Sequence, residues 1–113
     1  MWRDDAWLLD MLQACERAVR YTTGVSGAAF LADEMRQDAI LRQLTILGEA
    51  AKQVSPECRM AHPEILWQKI AGFRDVVVHQ YFRVNLPEVW RIATEDLLTL
   101  KRSLEPLVPP QEG

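Results

Sequence analysis

Apolar residues return at spacings of three and four along most of the chain, the period of one helix face. Leu8, Met11, Leu12, Cys15, Ala18 and Val19 make one such stripe. A first helix over about residues 4–23 follows, with Asp4 or Asp5 as its cap and Gly24 as its stop. Ser26 to Leu31 reads as a short cap and turn. Asp33 then opens a longer helix, in which Ile40, Leu44, Leu47, Ala51 and Val54 step by 4, 3, 4 and 3, a packing seam of heptad type. Gly48, Ala50 and Ala51 lie along it and allow a neighbouring helix close approach. Ser55-Pro56 ends this helix.

Residues 55–63, SPECRMAHP, are the least regular stretch. Pro63 suits the first turn of a third helix running to Tyr81, since a missing N–H costs nothing there. Asn85 and Glu88 have the spacing of a capping box, with Pro87 in the first turn. The fourth helix carries Leu86, Trp90, Ala93, Leu97, Leu100 and Leu104, and the tail is expected to fray from about residue 107. Valines 76 to 78 have strand propensity. No partner strand exists in the sequence to satisfy their backbone, so a helix is expected there too. The pattern predicts an all-α fold: an antiparallel four-helix bundle with short extra helical turns, as a single domain over residues 1–113.

Composition adds three constraints. About half the chain is apolar (49%), enough for a core, and in so small a domain a large apolar face would favour a dimer. The net charge is −3, so the chain is not a protein that coats nucleic acid, and any such contact is local or made with partners. Cys15 and Cys58 form no metal-binding spacing and read as reduced thiols of a cytoplasmic protein. The start, MWRDDAWLLD, has two acids before any apolar run and does not resemble a signal peptide. No apolar run approaches the ~18 residues of a membrane span.

The segment RDVVVHQY, residues 74–81, sets four chemically capable side chains around three valines. On a helix Asp75 and His79 are i, i+4 neighbours, and the carboxylate can fix the tautomer of the imidazole and raise its basicity. Arg74 and Tyr81, seven apart, share another face. His79 lies about 140° round from Arg74, so the two flank one surface, and a second copy across a two-fold axis could complete it. The inventory suits phosphodiester cleavage without a metal. Histidine moves the proton, arginine holds the phosphate, and RNA brings its own nucleophile, the 2′-hydroxyl. A structural reading of the same residues stays open: a satisfied helical histidine, a surface ion pair and a core-edge tyrosine.

Arg74, four residues, His79, one residue, Tyr81 is an R-x4-H-x-Y pattern. It resembles the HepT-like toxins of the HEPN superfamily, which are small helical ribonucleases. FLADEMRQDAILRQLTILGEAAKQVS, with its Gly48-Glu49-Ala50 step, resembles that family's second helix. HPEILWQKIAGFRDVVVHQYFRVNLPEVW resembles its motif helix and the start of the next, and the likeness covers about residues 4 to 105. The resemblance implies a HEPN-like bundle that pairs as a homodimer with the two motifs facing each other. It also implies metal-independent RNA endonuclease activity with no cofactor.

Arg74 and His79 match the family's catalytic positions, and Asp75 occupies a polar position that is often Asn or Asp in the family, consistent with the orienting role argued from its spacing. The resemblance further implies a partner, a minimal nucleotidyltransferase antitoxin that transfers AMP to the motif tyrosine, here Tyr81. The added phosphate would place charge and bulk where RNA phosphate should sit. Glu49, off the seam, either supports the site by pairing with Arg74 or simply faces water, and Arg83 is either an RNA contact or an ordinary surface basic residue. Helical spacing explains Trp7 and Trp90, so they are expected as core or dimer-interface anchors rather than as base-stacking platforms. Asn85 stands where many relatives have an acid, and Leu66 where a proline is common. A different class also fits: a non-catalytic subunit that binds nucleotide or docks a nucleotidyltransferase. The acidic charge leans towards it, because a free ribonuclease gains from a basic surface.

Overall fold

The computed structural model describes residues 2–79 and 85–110, and the side chains of residues 4–73 and 85–110. Helix α1 (Trp2–Thr22) buries the predicted stripe, with Met11, Cys15 and Ala18 fully enclosed. It stops at Gly24, whose positive φ of 73° reverses the chain at no steric cost. Residues 26–31 form helix α2 (Gly27–Leu31) rather than a turn. The Ser26 hydroxyl caps it by accepting from Ala29 N–H at 3.0 Å, and Phe30 is driven wholly into the core. Phe30 meets Trp90 at 4.9 Å between ring centroids. Gly27 comes so close that a Cβ there would lie 3.3 Å from the Trp90 indole nitrogen.

Helix α3 (Glu34–Gln53) opens where Asp33 accepts from Arg36 N–H at 3.1 Å, as its sequence predicts. All five seam residues, Ile40, Leu44, Leu47, Ala51 and Val54, are at most 1% exposed. Helix α3 packs along α1 on one side and along α5 (Trp67–His79) on another. The stretch expected to be irregular contains helix α4 (Pro56–Ala61), with Ser55 as its cap and Pro56 in its first turn. Helix α5 begins at Trp67, four residues later than the proline suggests. Residues 62–66 form a turn, and the Trp67 indole donates to His62 C=O at 2.9 Å, which fixes the new direction. The valines are helical. The predicted extension to Tyr81 lies outside the described residues.

Helix α6 (Leu86–Arg91) starts at Asn85, which accepts from Glu88 N–H at 3.1 Å. Only half of the capping box forms, because the Glu88 carboxylate turns to Arg91 instead. The predicted fourth helix is interrupted by a π-helical turn, Ile92–Asp96, before α7 (Leu97–Leu104) and a 3-10 turn, Glu105–Leu107. Leu107 packs on the core and Val108 is buried, so packed chain reaches past the point where fraying is expected. No strand occurs among the described residues, and none of their helices is long and apolar enough to cross a membrane.

Asp4 does not cap its own helix, which begins before it. It is only 6% exposed and reaches the junction before α4, accepting from Ser55 N–H at 2.9 Å and from the Ser55 hydroxyl at 2.6 Å. The Ser55 hydroxyl bond, then the Ser55 N–H bond, holds the Asp4 carboxyl below its ordinary range. A folded-state pKa below the unfolded value stabilises the fold above the unfolded value, about 3.9, and that stability is lost as pH falls through the folded value. Asp4→Asn should therefore lower stability at pH 7, with the gap to the parent narrowing below about pH 4. Urea unfolding at pH 7, 5 and 3 reads this directly, and a gap of constant size would remove the ionised link.

Candidate active site

Helix α5 presents the motif. Its first half is anchored by buried Trp67, Ile70 and Phe73, and it lies against α3, where Gly48 and Ala51 are buried. The helix runs through His79, so its backbone carries Arg74, Asp75 and His79 as one helical segment. Helical geometry places Asp75 and His79 on a common face. The side chains of Arg74, Asp75 and His79 lie outside the described residues, as do Tyr81 and Arg83 altogether. Glu49 is exposed between buried Gly48 and Ala50 on α3, the helix that supports α5.

An ion network that periodicity does not reveal reaches α5 from α6 and the turn that follows it. The Arg91 guanidinium meets Glu88 at 2.7 Å and both oxygens of Asp96 at 3.1 Å, and Asp96 reaches Lys69 of α5 at 3.4 Å. Its acidic partners Glu88 and Asp96 raise the Arg91 pKa, and Arg91 in turn lowers that of Glu88. Arg91 and Asp96 are five apart, so an uninterrupted α-helix would turn them about 140° away from each other. The π turn brings them together, with Leu97 N–H bonding to Ile92 C=O. The Thr94 hydroxyl takes up the Trp90 carbonyl at 2.7 Å. The Glu88/Arg91 half of the network is visible as an i, i+3 pair, whereas the Asp96 half depends on a register change that periodicity does not reveal.

Below Lys69 and Asp96 a groove of about 160 Å³ runs between α5 and α7, floored by Ile65, Ile70, Phe73, Leu97 and Leu100. Small-molecule sites usually hold ~300 Å³ or more, so it is too small for a nucleotide. No group of three His, Cys, Asp or Glu positioned to hold a metal occurs among the described residues. His62 lies 3.6 Å from Glu64 in the turn before α5.

The two thiols are not poised for chemistry. Burial pushes Cys15 up to about 12, and burial, followed by the Asp4 carboxylate, also raises Cys58. In the folded protein at pH 8, a disulfide reagent should leave Cys15 untouched and label half-buried Cys58 slowly. Both should react once urea unfolds the chain, and rapid native labelling of two thiols would contradict this packing.

The family model described as Ribonuclease HepT-like matches residues 11–107. A protein of Thermococcus cleftensis named "Probable ribonuclease HepT" is 36% identical over 101 residues, covering 89% of this chain and 92% of that one. A protein of Caldanaerobacter subterraneus subsp. tengcongensis named "Putative RNase" is 31% identical over 106 residues, covering 94% and 95%. No solved structure matches the chain.

Proposed function

The chain belongs to the Ribonuclease HepT-like family, and from that premise we propose that it is a metal-independent RNA endonuclease. The observation that carries the proposal is the family match across residues 11–107, together with the helical placement of Arg74, Asp75 and His79 on α5. In this reading the long helical segments pack as an antiparallel four-helix bundle. Two copies pair so that their α5 helices face each other, and each cleft receives side chains from both.

The chemistry follows from those residues. One His79 imidazole takes the proton of a 2′-hydroxyl as that oxygen attacks phosphorus. The P–O5′ bond breaks, and the partner copy's imidazolium returns a proton to the departing oxygen. The products are a 2′,3′-cyclic phosphate and a 5′-hydroxyl end. Arg74 holds the non-bridging oxygens as their charge grows, and Asp75 orients the ring. Arg83 contacts RNA phosphate beside the cleft, and Glu49 supports the site from α3.

The chain then acts as the toxin of a pair whose antitoxin is a minimal nucleotidyltransferase, with AMP transfer to Tyr81 as the inhibitory step. AMP on Tyr81 would set a phosphate against Arg74 and displace that of RNA. A second reading, a non-catalytic subunit that binds nucleotide or docks the nucleotidyltransferase, is favoured by the net charge of −3.

Purified protein should cut RNA in the presence of chelator. His79→Ala should fold and pair like the parent yet lose at least ~100-fold of the cutting rate. A variant that cuts as fast as the parent would end this mechanism, and a parent that never cuts would leave the binding-subunit reading in its place. Intact mass after co-expression with the nucleotidyltransferase should rise by whole AMP units on Tyr81, and Tyr81→Phe should abolish the increment. An unchanged parent mass would remove the tyrosine switch.

A further inference from the structure

An open recess of about 290 Å³ is lined by Trp7 of α1 and by Glu49, Lys52 and Gln53 of α3. Trp7 is half-buried: it packs against the core while also forming a wall of the recess. The other three walls are long, exposed polar side chains. A tryptophan beside an acceptor, a cation and an amide is a set of residue types suited to holding a single unpaired base. We infer that this recess is a nucleobase subsite, in which an unpaired guanine of an RNA strand stacks on Trp7 and presents its base-pairing edge to Glu49. The inference rests on the reading of the chain as an RNA-cleaving enzyme and adds where the strand is gripped.

Three considerations support it. The volume is near the lower end of the ~300–1,000 Å³ usual for ligand sites, which suits one base rather than a whole nucleotide. The chain carries a net charge of −3, so general attraction to phosphate contributes little. Base stacking does not depend on net charge, and Lys52 supplies a local cation for the adjoining backbone. Finally, Glu49 projects from α3 between buried Gly48 and Ala50, on the helix that also supports α5, so the grip and the motif share one rigid element.

The choice of base follows from hydrogen bonding. A carboxylate only accepts, and it can take two parallel N–H bonds while keeping lone pairs for other partners. Guanine offers two adjacent N–H groups on its base-pairing edge, at N1 and N2. Adenine and cytosine set one donor beside an acceptor, and uracil sets one donor between two acceptors. Gln53, one helical turn from Glu49, can donate to the neighbouring guanine O6.

The test is binding of fluorescein-labelled UUGUU and UUUUU to the full chain carrying His79→Ala, so that neither is cut. The guanine-containing strand should bind more tightly. Adding Trp7→Leu, which keeps an apolar side chain but loses the stacking face, should weaken its binding by roughly tenfold, while Trp7→Phe should retain most of it. Adding Glu49→Gln should erase most of the preference between the two strands. Unchanged binding by a folded Trp7→Leu protein would overturn the subsite. So would a change of oligomeric state with Trp7→Leu, because the recess would then be a protein contact. Cutting assays with His79 restored separate the two layers: a Trp7→Leu protein that cuts with unchanged site preference removes the subsite and leaves the enzyme. A chain that neither binds these strands nor cuts any RNA removes both.

Discussion

The apolar seam of α3 is the contact on which the other elements depend. Ile40, Leu44, Leu47, Ala51 and Val54 are each at most 1% exposed, and α1 and α5 both pack on the helix that carries them. Full burial of one such large aliphatic side chain stabilises by about 1.5–3 kcal/mol, against a net stability of about 5–15 kcal/mol for a typical domain. A few of these residues therefore decide whether the domain folds. Helix α5 has 13 residues, which is marginal for a helix alone in water, and it includes three consecutive β-branched valines. Its helicity is imposed by the surface it lies on. The placement of Arg74, Asp75 and His79 is thus a property of α3 as much as of the motif itself.

Where a segment was long enough for its period to repeat, the sequence was a good guide. The stripes of α1 and α3 and the last helix were legible because burial selects every third or fourth residue over several turns. Short extra helical turns were expected, but α2 and α4 could not be placed, because five or six residues hold little more than one turn. Ser55-Pro56 follows the end of α3, as its pattern predicts, and the same serine cap and proline begin α4. The late start of α5 was illegible for a different reason. It depends on a tryptophan finding a carbonyl five residues back, a tertiary choice that no propensity encodes.

The candidate residues were legible as types on one predicted helix, and the backbone of α5 is helical through His79. Its surroundings were not. The π turn changes the helical register at Ile92–Asp96, so the Arg91–Asp96–Lys69 network contradicts the wheel drawn from an ideal helix. Glu49 could be placed off the seam from its spacing, but Trp7 as its neighbour across the recess could not, because that meeting depends on how α1 and α3 are aligned.

The Ser55 hydroxyl gives its proton to the Asp4 carboxylate while its oxygen accepts from Cys58 N–H at 3.2 Å. One atom therefore ends a long-range tether and begins a helix. Only a short side chain that both donates and accepts can serve there, which leaves serine and threonine. Alanine would lose both bonds, and aspartate could cap α4 but would set two anions against each other. Asp4 and Ser55 are therefore expected to vary as a pair among related chains, although 51 positions of sequence separate them. A change at one end should be followed by a change at the other before the family can drift past it.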